Sequence, residues 1–247
     1  MKGTNTTASL RLVSTAVNAA LYAALGVFSA NLPTPFGVRI WPQVFVPATF
    51  SVLFGPWVGG VGAAIGIFLS DVLFGHHDAL LSLMVGVPSN LVGFFLIGWL
   101  TKRPRLGERR PLFLLSILFP VVLAGYGLYL SRQFLYALVG VIAIIVIIGF
   151  AVVKNHWTTF EVAASIGLGV GSLIIGFGLV GYSSLFTLPT VLGLGNGALP
   201  FAFAYGATAF TYLSEILPLV ILTPPIVAAS RAAFPNLKVM QPKPQTS

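Results

Sequence analysis

Arg39, Trp41 and Gln43 alternate in a stretch that Pro33, Pro35 and Pro42 stiffen. In an extended segment, alternate residues point the same way. A guanidinium, an aromatic ring and an amide on one face suit a small, planar, polar or anionic ligand. The same residues equally fit an interfacial Trp beside a snorkelling Arg. Asp71 and Asn90 lie inside apolar runs, and Asn196 lies in a Gly/Pro-rich loop. These three are further candidate polar groups, although Asn90 could equally join two helices and Asp71 could simply hold its helix in place. Glu215 is a second acid deep in an apolar run, with Pro218 just beyond it. It reads equally as a ligand for a solute or ion and as a structural group bonded to a neighbouring helix. Glu161 opens a helix, where an acid complements the dipole. His76, His77 and Asp78 form a polar loop. They are too few to suggest a metal site, which needs three or four converging ligands.

Catalysis finds no support. The chain has no Gly-x-Ser-x-Gly elbow, no His-Glu-x-x-His and no Walker loop. No acid, base and nucleophile can be named together. Cysteine is absent, which excludes disulfides, thiolate metal sites and cysteine nucleophiles. No enzyme activity, cofactor or metal is expected.

The elements that must carry these residues follow from composition. Of 247 residues, 57% are apolar and 7% are charged, against about 25% charged in a soluble domain. So little charge cannot cover a water-soluble globule, and the apolar content excludes intrinsic disorder. Lipid is the solvent that fits. Charge-free runs and Gly/Pro breaks place helical spans at about 12–30, 43–54, 56–74, 79–100, 112–130, 134–153, 161–182 and 201–229. The second is short. The first ten residues are polar and no cleavable leader is expected. The tail, 236–247, is expected to be disordered.

The fold class is therefore all-α: a polytopic transmembrane helix bundle of about eight spans. With a cytoplasmic N-terminus, Lys2, Arg11, Lys102, Arg103, Arg105, Arg109, Arg110, Lys154, Arg231, Lys238 and Lys243 fall inside, and only Arg39 and Arg132 fall outside. Eleven against two is the positive-inside pattern, with both termini cytoplasmic. It accounts for the net charge of +8 through the anionic inner leaflet, without nucleic acid. Glycines 59, 60, 62 and 66, and glycines 167, 169, 171 and 176, read chiefly as helix-packing positions. Ala16, Ala20 and Ala24 form a small-residue stripe on the first span, flanked by Ala19 and Ala23. It suits packing inside the bundle or against another membrane protein.

Several motifs coincide: Arg39 to Pro47 (RIWPQVFVP), Leu53-Phe54-Gly55-Pro56-Trp57-Val58-Gly59, then Gly66 and Ser70-Asp71. With Val85 to Asn90 (VGVPSN) and the ending Leu217-Pro218 to Pro224-Pro225-Ile226, they resemble the substrate-binding (S) components of energy-coupling-factor (ECF) transporters. The alanine stripe looks like that family's AxxxA motif. The resemblance is best over 10–103 and looser over 158–235.

It implies a six-helix core, 10–103 and 158–235, within a single transmembrane domain, 1–235. The segment 111–154 is then an inserted two-helix hairpin. It also implies a cell-membrane protein that captures a vitamin-like micronutrient from outside. Such a protein would associate with a transmembrane coupling subunit, docked at Ala16, Ala20 and Ala24, and with two ABC ATPase subunits. The site residues it implies are Arg39, Trp41, Gln43, Asp71, Asn90 and Asn196. The alternatives are a stand-alone ion-coupled transporter, motivated by Glu215 and Asp71, and a structural subunit of a larger membrane complex, motivated by the hairpin.

Overall fold

The computed structural model describes residues 3–29, 36–103, 110–129, 134–152, 157–195 and 197–235. Five helices among them are long and apolar enough to cross a membrane: Ala8–Ser29, Pro56–Phe74, Ala79–Thr101, Thr158–Leu185 and Phe201–Ala233. Shorter apolar helices cover Pro42–Phe54, Arg110–Tyr126 and Ala137–Gly149. No strand occurs among the described residues, so the chain is an all-α bundle, as its composition requires. The tail, 236–247, and the basic residues Lys2, Arg105, Arg109, Arg132 and Lys154 lie outside the described residues.

Helix α1 (Gly3–Leu25) ends in a 3-10 turn, Gly26–Ser29. A second 3-10 turn, Pro42–Val44, leads into α2 (Phe45–Phe54). Gly55 then adopts φ 114°, a conformation that side chains with a Cβ resist. Pro56 opens α3 (Pro56–Phe74) where its missing N–H costs nothing. The Gly-Pro pair thus reverses the chain in one step. At about 20 Å, the Pro42–Phe54 segment is short for a span. It is nevertheless largely buried. Its Ser51 hydroxyl donates to Phe94 O at 2.8 Å, and protein covers most of its surface in place of lipid.

Asp78 caps α4 (Ala79–Leu81), accepting from the backbone N–H groups of Leu80 and Leu81. A π segment, Ser82–Gly86, follows, in which Val87 N–H reaches back five residues to Ser82 O. α5 (Val87–Thr101) continues the same span. Pro88 sits in its first turn, where it has no N–H to offer the ladder. Next comes the pair α6 (Arg110–Tyr129) and α7 (Phe134–Val152). α8 (Thr158–Leu185) and α9 (Phe201–Ala233) complete the bundle. α9 runs unbroken through Pro218, Pro224 and Pro225. Its proline-weakened stretch is braced by the burial of Leu219, Val220, Pro224 and Val227.

Glycine decides how closely the helices approach. A Cβ on Gly167 would stand 2.7 Å from Gly93 O, and one on Gly60 would stand 2.7 Å from Leu91 O. Gly62 leaves room for the Asn18 amide, which donates to Val58 O and Gly59 O. Lipid offers no hydrophobic drive for association, so such close contact supplies the packing attraction. α6 is tied to α8 by Ser165 Oγ donating to Ser116 O at 2.8 Å. Phe119 meets Tyr212 of α9 edge-on, with centroids 4.9 Å apart. The outer faces of α6 and α7 remain apolar, as at Leu114, Leu118 and Ile145, which suits lipid contact.

Candidate functional site

A cavity of about 110 Å³ opens between α1, α3, α5, α8 and α9, enough for several water molecules. It sits at the end of the bundle where the segment 37–41, the loop after α3 and Leu192 of the loop before α9 converge. Lys102, beside Gly55, marks the opposite end.

Arg39 and Trp41 both line the cavity. The Arg39 guanidinium carbon lies 4.4 Å from the Trp41 ring centroid, a cation–π distance. Arg39 donates to Gly26 O at 2.9 Å and to Asp71 Oδ1 at 3.4 Å. Burial pulls the guanidinium down from its ordinary pKa, and the neighbouring Asp71 carboxylate pulls it back up. A guanidinium stays charged through shifts of this kind.

Asp71 is a junction. Besides Arg39, it accepts from Ser82 Oγ at 2.8 Å, and His76 Nε2 lies 3.5 Å away. It therefore ties α3 to the segment before α2 and to the π segment. Asn90 lines the cavity one turn beyond that segment. Its Nδ2 donates to Gly86 O at 2.9 Å, and its Oδ1 accepts from the Tyr22 hydroxyl at 2.8 Å.

The alternation expected of an extended stretch ends at Trp41, because Pro42–Val44 turns into a 3-10 helix. Gln43 is therefore placed away from the cavity. It is buried, with its amide 3.4 Å from Ser29 Oγ. Asn196 and residues 31–35 of the first outer loop lie outside the described residues. Asp78 is occupied as a helix cap and accepts from the Tyr182 hydroxyl at 3.0 Å. His77 holds φ 56° and contacts Val72 O. No cluster of three or more metal-ligating side chains occurs among the described residues.

The cavity also takes in Tyr22, Ser89, Thr211 and Glu215, none of them among the six residues expected at the site. Tyr22 projects from the face of α1 that buries Ala19 and Ala23, while Ala16, Ala20 and Ala24 face outward and are exposed. Tyr22 packs edge-on against Trp41 and Phe94. Glycines 93, 167 and 171 form part of the wall, where α5 and α8 pack backbone against backbone.

A multi-pass helical bundle with a partly polar cavity between its core helices is the architecture of a polytopic membrane protein. The family model for "ECF-type riboflavin transporter, S component" matches residues 7–180, and the chain belongs to that family. It is accordingly a multi-pass membrane protein and a member of a transporter family, not of an enzyme class. Similar proteins include the UPF0397 proteins of Streptococcus agalactiae serotypes Ia and V, each 34% identical over 93 residues. That stretch is 37% of this chain and 50% of each relative. The chain thus spans about half the length of the curated relatives it matches. No solved structure matches significantly.

Proposed function

We propose that this chain is the substrate-binding component of an ECF-type ABC importer and captures a vitamin-like micronutrient from outside the cell. It does so without catalysis of its own. The observation that carries this reading is the cavity itself: a chamber between the core helices whose largely apolar and glycine lining is interrupted by the charged groups Arg39, Asp71 and Glu215 and by polar groups such as Asn90, Ser89 and Thr211. A mostly apolar chamber with a few placed polar groups is the usual form of a small-molecule site. Arg39, Trp41, Asp71 and Asn90 are the binding residues in this reading. Gln43 supports the loop through Ser29, and Asn196 is a further binding residue in this reading.

Transport then depends on partners. A transmembrane coupling subunit docks on the exposed stripe Ala16, Ala20 and Ala24, and two ABC ATPase subunits supply the energy. The single domain 1–235 consists of the six-helix core with α6 and α7 as an added hairpin. Among the described residues, every cavity-lining group comes from the core or its loops, which supports that division.

Purified protein in detergent or nanodiscs, free of ATP, should bind one compound from a vitamin panel tightly and gain thermal stability. Riboflavin is the first compound to test, because the family's name carries it. A panel in which nothing binds would overturn the assignment.

A further inference from the structure

At the end of the bundle away from the cavity, α3 and α5 share an exposed seam. Two glycines bring the helices together there. A Cβ on Gly60 would stand 2.7 Å from Leu91 O, and one on Gly98 would stand 2.8 Å from Pro56 Cα. Trp57, at the start of α3, packs edge-on against Phe95 with ring centroids 4.8 Å apart. Trp99 follows Phe95 by one turn of α5, and Arg103 follows Trp99 by one more, its N–H bonded back to Leu100 O. Residues at this spacing share a helix face. The Arg103 guanidinium carbon lies 4.3 Å from the Trp99 ring centroid, and Lys102 Nζ sits beside Gly55. Trp57 is 67% exposed and Trp99 41%, so the seam offers two indoles to whatever surrounds it. None of these residues lines the cavity.

We propose that this seam holds one anionic phospholipid of the inner leaflet, its phosphate against Arg103 and Lys102 and its acyl chains along Trp99, Phe95 and Trp57. Charge selects the occupant. Every described base other than Arg39 lies at this end of the bundle, Arg11, Arg110 and Arg231 included. The described acid there, Glu161, is fully buried, so no acid is exposed at this end among the described residues. Such an end rests against the negative inner leaflet. Aromatic residues at headgroup level are common, but a guanidinium laid on an indole is also held in orientation. Its N–H fork matches phosphate oxygens two at a time. A zwitterionic lipid offers the same tails without the net negative charge that this end lacks.

The test is native mass spectrometry of the full chain released from nanodiscs of phosphatidylcholine, alone or mixed with phosphatidylglycerol. Thermal midpoints are measured in the same discs. The parent should retain one phosphatidylglycerol through release and melt higher in the mixture. Arg103→Gln should lower that retention about tenfold, the loss expected for charge-assisted bonds to one guanidinium, and Trp99→Leu should lower it too. Arg110→Gln, which removes the same charge from α6, should stay within about twofold of the parent. In phosphatidylcholine alone all three variants should melt with the parent, which separates lost lipid from lost folding. Equal retention of the two lipids, or equal losses in Arg103→Gln and Arg110→Gln, reduces the effect to diffuse surface charge and overturns the proposal. Inorganic phosphate that raises the midpoint as much as phosphatidylglycerol assigns the bases to a soluble anion and also overturns it. Weakened pull-down of a coupling subunit by Arg103→Gln, with lipid retention unchanged, assigns the seam to a protein partner and overturns it as well.

Discussion

Asp71 shows how one side chain can hold a loop, a helix end and a π segment together. Its partners Arg39, Ser82 and His76 come from three different stretches of chain. Asp71→Asn leaves Arg39 without its countercharge in a partly buried setting. We expect a loss of about 1–3 kcal/mol in stability, read as a lower thermal midpoint, together with weaker ligand binding. An unchanged midpoint would mean that the pair is ornamental. Arg39→Lys keeps the charge but loses the fork that reaches both Gly26 O and Asp71, so affinity should fall although the net charge is constant. Glu161 presents the opposite case. It is fully buried, and neither carboxyl oxygen has a hydrogen-bond partner. A first-turn acid ordinarily reads as a dipole complement, but burial without a donor makes the ionised form costly. Glu161→Gln should therefore raise the thermal midpoint of the isolated protein, and a drop would show that the acid makes a favourable contact.

At the level of helices, the α5–α8 contact is sensitive to a single methyl group. Gly167→Ala would push a Cβ into Gly93 O. It should cost about 1–3 kcal/mol and alter the cavity wall, measurable as paired losses in thermal midpoint and ligand affinity. Much of this arrangement is legible in the sequence. Gly55-Pro56 announces the break between α2 and α3, and the glycine runs announce close packing, because both are properties of the residues themselves. Other features depend on neighbours far away in the chain. Nothing local shows that Pro42 turns Gln43 out of register with Arg39 and Trp41. The side of α9 that carries Glu215 is set by the helices packed against it, α8 and α2 foremost, with α6 and α7. Tyr22 reads as one more aromatic in an apolar run until Asn90 is placed beside it. The alanines of α1 divide only once the fold is known, with Ala19 and Ala23 inward and Ala16, Ala20 and Ala24 outward.

Across the molecule, the cavity and the alanine stripe use different faces of α1, so the two proposed roles should be separable by mutation. Ala20→Trp places bulk on the exposed face only. It should abolish pull-down of a coupling subunit while leaving ligand affinity within about twofold, since the change lies outside the packed core. Equal loss of both would place the stripe inside the binding machinery. The hairpin α6–α7 contributes no described residue to the cavity, yet Ser116 and Phe119 anchor it to α8 and α9. Its loss would therefore be felt as loosened helices before any loss of specificity.

The π segment Ser82–Gly86 works as a phase adjuster between two stations on a single rod. One residue corresponds to about 100° of helical rotation, and the wider turn absorbs the surplus that lets Leu81, before it, and Asn90, after it, look into the same chamber. Excising one residue from this turn would barely shorten the span. It would swivel Asn90 and Ser89 away from Tyr22 and Gly171, leaving a membrane protein of correct length and topology with its chamber wall facing the wrong way.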